Sequence, residues 1–195
     1  MKNLKYIIPF IAFLLFACDT DDDGFYNTVY VQSEQLMDVE TQDVYQVGET
    51  FFINAHIPEL LFEPGETTLL NVRETTGNAP SFSFSFYLEK KNASGEWDVV
   101  DIGSNFVDGG AGNAQVFFGV GAYLTYNDAA EEYQFRGGIT LTEPGEYRLD
   151  FSNTTENFNK VSMLSNSIDN NIILNIFSTS SDLDASGFHN FIVVN

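Results

Sequence analysis

Ser81-Phe82-Ser83-Phe84-Ser85-Phe86-Tyr87-Leu88 alternates without a break. In an extended chain successive side chains point to opposite faces, so Phe82, Phe84, Phe86 and Leu88 share one face and the serines the other. That pattern predicts a strand with one face in a core and one in water. Lys90-Lys91-Asn92-Ala93-Ser94-Gly95 comes next as a polar turn, and Glu96 to Ile102 reads as the returning strand. Asp108-Gly109-Gly110-Ala111-Gly112-Asn113 is the next punctuation. It lacks a following Lys-Ser/Thr and a helix, so it is not a phosphate cradle. Gln115 to Tyr126 reads as one long strand. Its adjacent Phe117 and Phe118 then put one ring on each face, so one ring meets solvent, a second layer or a partner. Tyr133 to Thr142 reads as another strand, with Gly137-Gly138 marking a bulge or bend.

The same signals extend outward. Phe25 to Gln32, the segment after Tyr45-Gln46-Val47-Gly48 that stops at Pro58, Thr67 to Glu74, Asn171 to Ser178 and Phe188 to Val194 are further strand candidates. No window holds apolar residues at helical spacing for three turns. Asn153 to Asn170 reads as a long loop. Strands every ten to fifteen residues or so, separated by Gly, Pro and Asn, describe an all-β sandwich or barrel.

Leu141-Thr142-Glu143-Pro144-Gly145-Glu146-Tyr147-Arg148-Leu149 narrows that choice. It resembles the turn and opening of strand F in immunoglobulin-like sandwiches. There a glycine two residues before a tyrosine lets the hydroxyl fold back onto preceding backbone, the tyrosine corner. The resemblance makes Gly145 and Tyr147 that corner, with Leu149 in the place of an antibody cysteine. Tyr45-x-Val47-Gly48-Glu49-Thr50 resembles the lead-in to strand B of such modules, and Phe86-Tyr87-Leu88 through Gly95-x-Trp97 a hairpin common in them. The expected fold is a single immunoglobulin-like antiparallel β-sandwich over residues 25–195. A jelly roll or another β-sandwich is the alternative.

The N-terminus carries an address. Met1-Lys2-Asn3-Leu4-Lys5 is basic, and Tyr6 to Ala17 is an apolar run broken only by Pro9. The run is shorter than the roughly 20 residues a membrane span needs, and the whole has the layout of a secretory signal over residues 1–17. Leu15-Phe16-Ala17-Cys18 resembles the lipobox of bacterial lipoproteins, in which the cysteine is acylated and becomes the first residue. Cys18 is the only cysteine of the chain. Residues 18–24 then form the lipidated cysteine and an acidic tether. Asp19, Asp21, Asp22 and Asp23 behind that cysteine resemble the surface-export signal of Bacteroidota lipoproteins. The resemblance implies an outer-membrane, lipid-anchored protein at the cell surface, the periplasmic face being the alternative. Asp19-x-Asp21-x-Asp23-Gly24 also copies the first half of a calcium loop, but position twelve would be Tyr30 rather than a bidentate glutamate. It stays a weak calcium candidate, and no other metal or cofactor is indicated.

Charge sets the partners. The chain holds 28 acids against 8 bases, a formal charge of −20. Cleavage before Cys18 removes two of those bases and no acid, giving −22. Nucleic acid and other phosphate-rich ligands are repelled before contact.

Little in the chain points to catalysis. His56 and His189 are the only histidines, no Gly-x-Ser-x-Gly elbow occurs, and the pairs Asp182/Asp184 and Glu131/Glu132 fall on turns. Binding is the more open role. Trp97, Tyr123, Tyr126 and Tyr133 with Asn127 and Asp128 form the candidate set for a glycan, whose apolar faces stack on rings while amides and carboxylates take its hydroxyls. The expectation is a non-catalytic lipoprotein serving as a binding or accessory subunit of an outer-membrane assembly. The alternative is a glycan-binding module, and a hydrolase comes third.

Overall fold

A computed structural model describes residues 27–40, 42, 44–151, 160–167 and 171–195. The expected signal peptide, Cys18, the aspartates of the tether, and Phe25 with Tyr26 lie outside the described residues.

The fold is all-β. In chain order the strands are β1 (Asn27–Glu34), β2 (Met37–Val39), β3 (Val44–Gln46), β4 (Thr50–Pro58), β5 (Leu60–Leu61), β6 (Leu70–Asn71), β7 (Ser81–Lys91), β8 (Trp97–Val99), β9 (Phe106–Ala111), β10 (Asn113–Val116), β11 (Val120–Asn127), β12 (Glu132–Thr140), β13 (Gly145–Asp150), β14 (Lys160–Ser165), β15 (Ile172–Thr179) and β16 (Phe188–Val194). Among the described residues one short α-helix, α1 (Val72–Thr75), comes after β6. Fourteen strands form a large curled sheet, and β5 and β6 pair apart from it. The architecture is consistent with a β-sandwich.

β7 organises it. Phe82, Phe84, Phe86 and Leu88 are all buried, as the alternation predicts. Each buried side chain of this kind contributes about 1.5–3 kcal/mol by leaving water. The first half of β7 lies between β11 and β14, and the second half between β13 and β8. One strand therefore serves two layers. The first layer runs β1-β15-β14-β7-β11-β12-β4-β2, and the second runs β3-β16-β13-β7-β8. The edge strands of the first layer, β1 and β2, are consecutive in the chain and joined at Gln35–Leu36. There the Gln35 N–H donates to Thr179 O (2.8 Å) and the His56 N–H to Leu36 O (2.9 Å), so the curl closes on itself. All pairings are antiparallel except β1 with β15 and β3 with β16, which are parallel.

Four segments differ from their sequence reading. Thr67 to Glu74 is mostly not strand: Asn71 accepts the Glu74 N–H at 2.9 Å and caps α1. The glycine-rich run is strand through residues 108–111, where β9 pairs with β12, and the chain turns only at Gly112. The span 115–126 is a hairpin rather than one strand, with Phe117 donating its N–H to Gly119 O at 2.9 Å between β10 and β11. β14 lies inside the expected loop 153–170, of which residues 153–159 and 168–170 are outside the described set. The Gly137-Gly138 expectation holds: the β9 register shifts between Arg136 and Gly137.

The register places the two ends of the molecule. Leu124 of β11 pairs with Phe82, Phe82 with Ser165, the Ser165 hydroxyl accepts the Leu174 N–H (2.9 Å), and Leu174 pairs with Val29. The start of β1 thus lies level with the Asn127 end of β11. The Phe117–Gly119 turn lies at the opposite end.

Three buried tyrosines lock the core to backbone. Tyr45 donates to Glu40 O (2.7 Å), Tyr133 to Ala79 O (2.7 Å) and Tyr147 to Glu143 O (2.9 Å). Burial pushes all three phenols above their ordinary value. A fold that favours the neutral phenol keeps that stability below the ordinary tyrosine value of about 10 and loses it as pH rises from there through the folded-state values. Alkaline unfolding above about pH 10 is expected, with tyrosinate absorbance appearing together with loss of the β circular-dichroism signal. Ionisation of Tyr45, Tyr133 and Tyr147 well before that loss would contradict it.

Candidate functional site

The most exposed aromatic side chains of the described residues are the two at the β10–β11 turn. Gly119 lies directly against β7: a β-carbon there would sit 2.8 Å from both Phe86 O and the Tyr87 ring. That close approach leaves no room beneath the turn for the rings before it. Phe117 is 73% exposed and Phe118 83%. Two exposed rings replace the expected one on each face, because these residues form a turn and do not alternate.

Across from them runs the segment after β8. Asn92 accepts the Ser94 and Glu96 N–H groups (2.9 and 3.0 Å), which turns the chain back along β7. Val100 donates its N–H to Leu88 O at 2.8 Å, and buried Ile102 pins the far end of the segment. Val99, Val100 and Asp101 with Phe117 and Phe118 enclose an apolar groove of about 670 Å³. The same Val99–Asp101 segment borders a polar hollow of about 590 Å³, reached by Lys90, Asn92, Asp98 and Asn105. Lys90 donates to Glu143 at 2.6 Å; this contact raises the lysine and lowers the glutamate from their ordinary values. An apolar platform beside a charged, amide-bearing hollow can hold an amphipathic ligand or the apolar projection of a partner.

The sequence-derived set is not brought together. Trp97 lies at the far end of β7 from Tyr126, opposite Lys91. It flanks the Arg148 guanidinium (4.5 Å from its ring centroid), whose other side meets Phe188 at 3.9 Å, while Arg148 pairs with Glu89 at 2.5 Å. Tyr123 faces outward beside Ser83 and lies 3.3 Å from Gln115 Oε1. Tyr126 stands under the Arg73 guanidinium (4.0 Å) and donates to Glu59, a bond that raises its phenol. Tyr133 has no exposed surface; it packs edge-on to Phe82 and Tyr126 at 4.9 and 5.1 Å. Asn127 caps the β11–β12 turn by accepting the Ala129 N–H at 3.0 Å, and exposed Asp128 lies 3.8 Å from Arg73. Tyr126, Tyr133, Asn127 and Asp128 are therefore neighbours at one end, but one of the four is core and another is a turn cap.

Several of the other chemistry-bearing residues make structural bonds. Tyr147 makes the expected backward bond to Glu143 O, four residues upstream, from a strand that begins at Gly145. Asp182 accepts the Val39 N–H (2.9 Å), and Asp184 accepts the Ser186 and Phe188 N–H groups (2.8 and 3.0 Å). His56 and His189 lie on β4 and β16, which do not pair; His189 Nδ1 is 3.0 Å from Asp182 O. Among the described residues no three His, Cys, Asp or Glu side chains converge as metal ligands. The weak calcium candidate Asp19, Asp21 and Asp23 lies outside them.

The phenylalanine groove is the site that sequence reasoning located only by half. The Phe117-Phe118 doublet was its one signal. Comparison of the chain with protein-family models and with curated proteins finds no match to either.

Proposed function

We propose that this chain is a non-catalytic lipoprotein, anchored to the outer membrane through Cys18 and exposed at the cell surface, which serves as a binding subunit of an outer-membrane protein assembly. The observation that carries the reading is the exposed Phe117–Phe118 pair on its groove, at the opposite end of the sheet from the start of β1. With the lipid attached before β1, the groove faces away from the membrane and toward incoming partners. Exposed aromatic pairs of this kind are costly in a free protein and typical of interface centres. We also read the fold as immunoglobulin-like. The order β3-β16-β13-β7-β8, with β3 and the last strand of the domain parallel, and the Tyr147 corner support that reading.

The test is a Phe117→Ser/Phe118→Ser double variant of the full lipoprotein, purified from membranes after crosslinking. Wild type should carry an identified outer-membrane protein. The variant should lose it at least about tenfold, a change worth about 1.4 kcal/mol, with its melting temperature unchanged. A monodisperse wild-type monomer without a partner would sink the reading.

A second reading is favoured by the polar hollow beside the platform, where Asn92, Asp98, Asp101 and Asn105 suit the hydroxyls of a neutral glycan. Glycan-array binding lost in the same variant would select it.

A further inference from the structure

Beside the latter half of β1, the β5–β6 hairpin presents a second apolar face. Leu61 pairs with Leu70 and Leu60 with Asn71. Continuing that register sets Leu69 across from Phe62, and Leu60 and Phe62 share a side because they are two residues apart. Leu61 is 1% exposed and plugs the core from beneath. Leu60 (54%), Phe62 (59%) and Leu69 (53%) are left in water. Three large apolar side chains on one small hairpin are more than its attachment requires. Leu61 and a few bonds already hold it, among them Glu59 N–H to Glu131 O at 2.9 Å and Val72 N–H to Glu59 O at 2.8 Å.

The surroundings of this face select its occupant. Glu59, Glu63, Glu66 and Glu74 belong to the hairpin and α1, and Asp128, Glu131 and Glu132 to the adjoining β11–β12 turn. Arg73 is the cation among them, and it is engaged by the Tyr126 ring and Asp128. An apolar patch with an acidic rim repels an anionic lipid surface and attracts a patch rimmed by lysine and arginine. Position adds a second constraint. β4 ends at Pro58, opposite Glu132, and the Ser33 hydroxyl donates to Phe62 O (3.4 Å) while the Gln32 N–H donates to Glu63 (3.2 Å), so the hairpin lies beside the latter half of β1. The eight residues between Cys18 and Asn27 reach at most about 28 Å when fully extended. Ser33 lies six residues beyond Asn27, about 20 Å along the strand, so an anchored molecule keeps this hairpin within roughly 50 Å of the bilayer, in reach of the exposed loops of an integral membrane protein.

We propose that Leu60, Phe62 and Leu69 dock onto an integral outer-membrane protein, at an apolar patch rimmed by basic side chains. The hairpin thus gives the chain a contact with its assembly distinct from the phenylalanine groove, which takes a different member of it. This inference rests on the anchored-subunit reading above.

The experiment is photocrosslinking in intact cells from a photoreactive residue at position 62 of the full lipoprotein, with mass spectrometry of the product. The expected product joins position 62 to a lysine- or arginine-bearing loop of an integral outer-membrane protein, and its yield falls at high salt. Leu60→Ser/Leu69→Ser should reduce it about tenfold, as should Glu66→Lys/Glu74→Lys at two exposed carboxylates, which leaves the apolar side chains in place and guards against misfolding of the first variant. Phe117→Ser/Phe118→Ser should leave it unchanged. Crosslinks only to lipid or to a second copy of this chain overturn the inference, as does a yield indifferent to the charge reversal. If position 62 gives nothing while a probe at Phe118 captures a membrane protein, the inference falls and the subunit reading stands. If both are silent in a monomeric protein, both fall.

Discussion

Replacing Gly112 by alanine is expected to cost about 2–5 kcal/mol and to lower the melting temperature by roughly 5–15 °C. Gly112 is the vertex between β9 and β10. β11 and β12 pair only from Thr125 to Asn127, and beyond that they splay, β12 taking β9 as its neighbour and β11 taking β10. The vertex sits in the fork. Its φ is +70°, and a β-carbon there would lie 2.5 Å from Tyr123 O and 2.8 Å from Gln134 O, both backbone atoms. Neither oxygen can yield without breaking the fork, so steric overlap adds to the cost of the left-handed backbone. Gly110, with φ +84° and nothing within 4 Å of its missing β-carbon, supplies the control. Gly110→Ala should cost only the backbone part, about 1–2 kcal/mol. Equal melting temperatures for the two variants would refute the fork argument.

Tyr133→Ala is expected to be the other severe change, about 3–5 kcal/mol by removal of a fully buried ring. Tyr133→Phe separates the ring from its hydroxyl. It keeps the contacts with Phe82 and Tyr126 and strands Ala79 O, for about 1–3 kcal/mol. Urea denaturation of both variants, with the slope unchanged, measures the two parts. A Tyr133→Ala variant as stable as wild type would place that ring outside the core. The result also bears on function: loss of ligand binding in Tyr133→Ala reports unfolding, so the binding tests belong at Phe117, Phe118 and the β5–β6 hairpin.

The residues that could be read in advance share a property. Whether Phe84 points in or out depends on strand geometry alone, so alternation along β7 reported its burial. The Asn92 turn closes within four residues, the Tyr147 hydroxyl reaches back four, and Pro58 ends β4 because it cannot extend a ladder. All of these are local. The candidate ligand set failed as a set for a complementary reason. Trp97, Tyr123, Tyr126 and Tyr133 are chemically alike, and composition does not say which tyrosine meets a carboxylate, a guanidinium or the core.

The chain by itself determined an all-β fold, the inward face of its main strand, the backward tyrosine bond and an acidity that repels polyanions. Tertiary structure alone decided that the glycine run 108–111 is strand, that both Phe117 and Phe118 face water, and that β7 joins two layers. Those outcomes depend on partners far away in sequence: β12 lies against Gly109, β7 beneath Gly119, and β11 and β13 on successive halves of one strand. Strand periodicity specifies which face is buried, but not which edge is paired or what covers it. The proposed docking surfaces lie where edges and turns meet solvent, and long-range pairing placed them there.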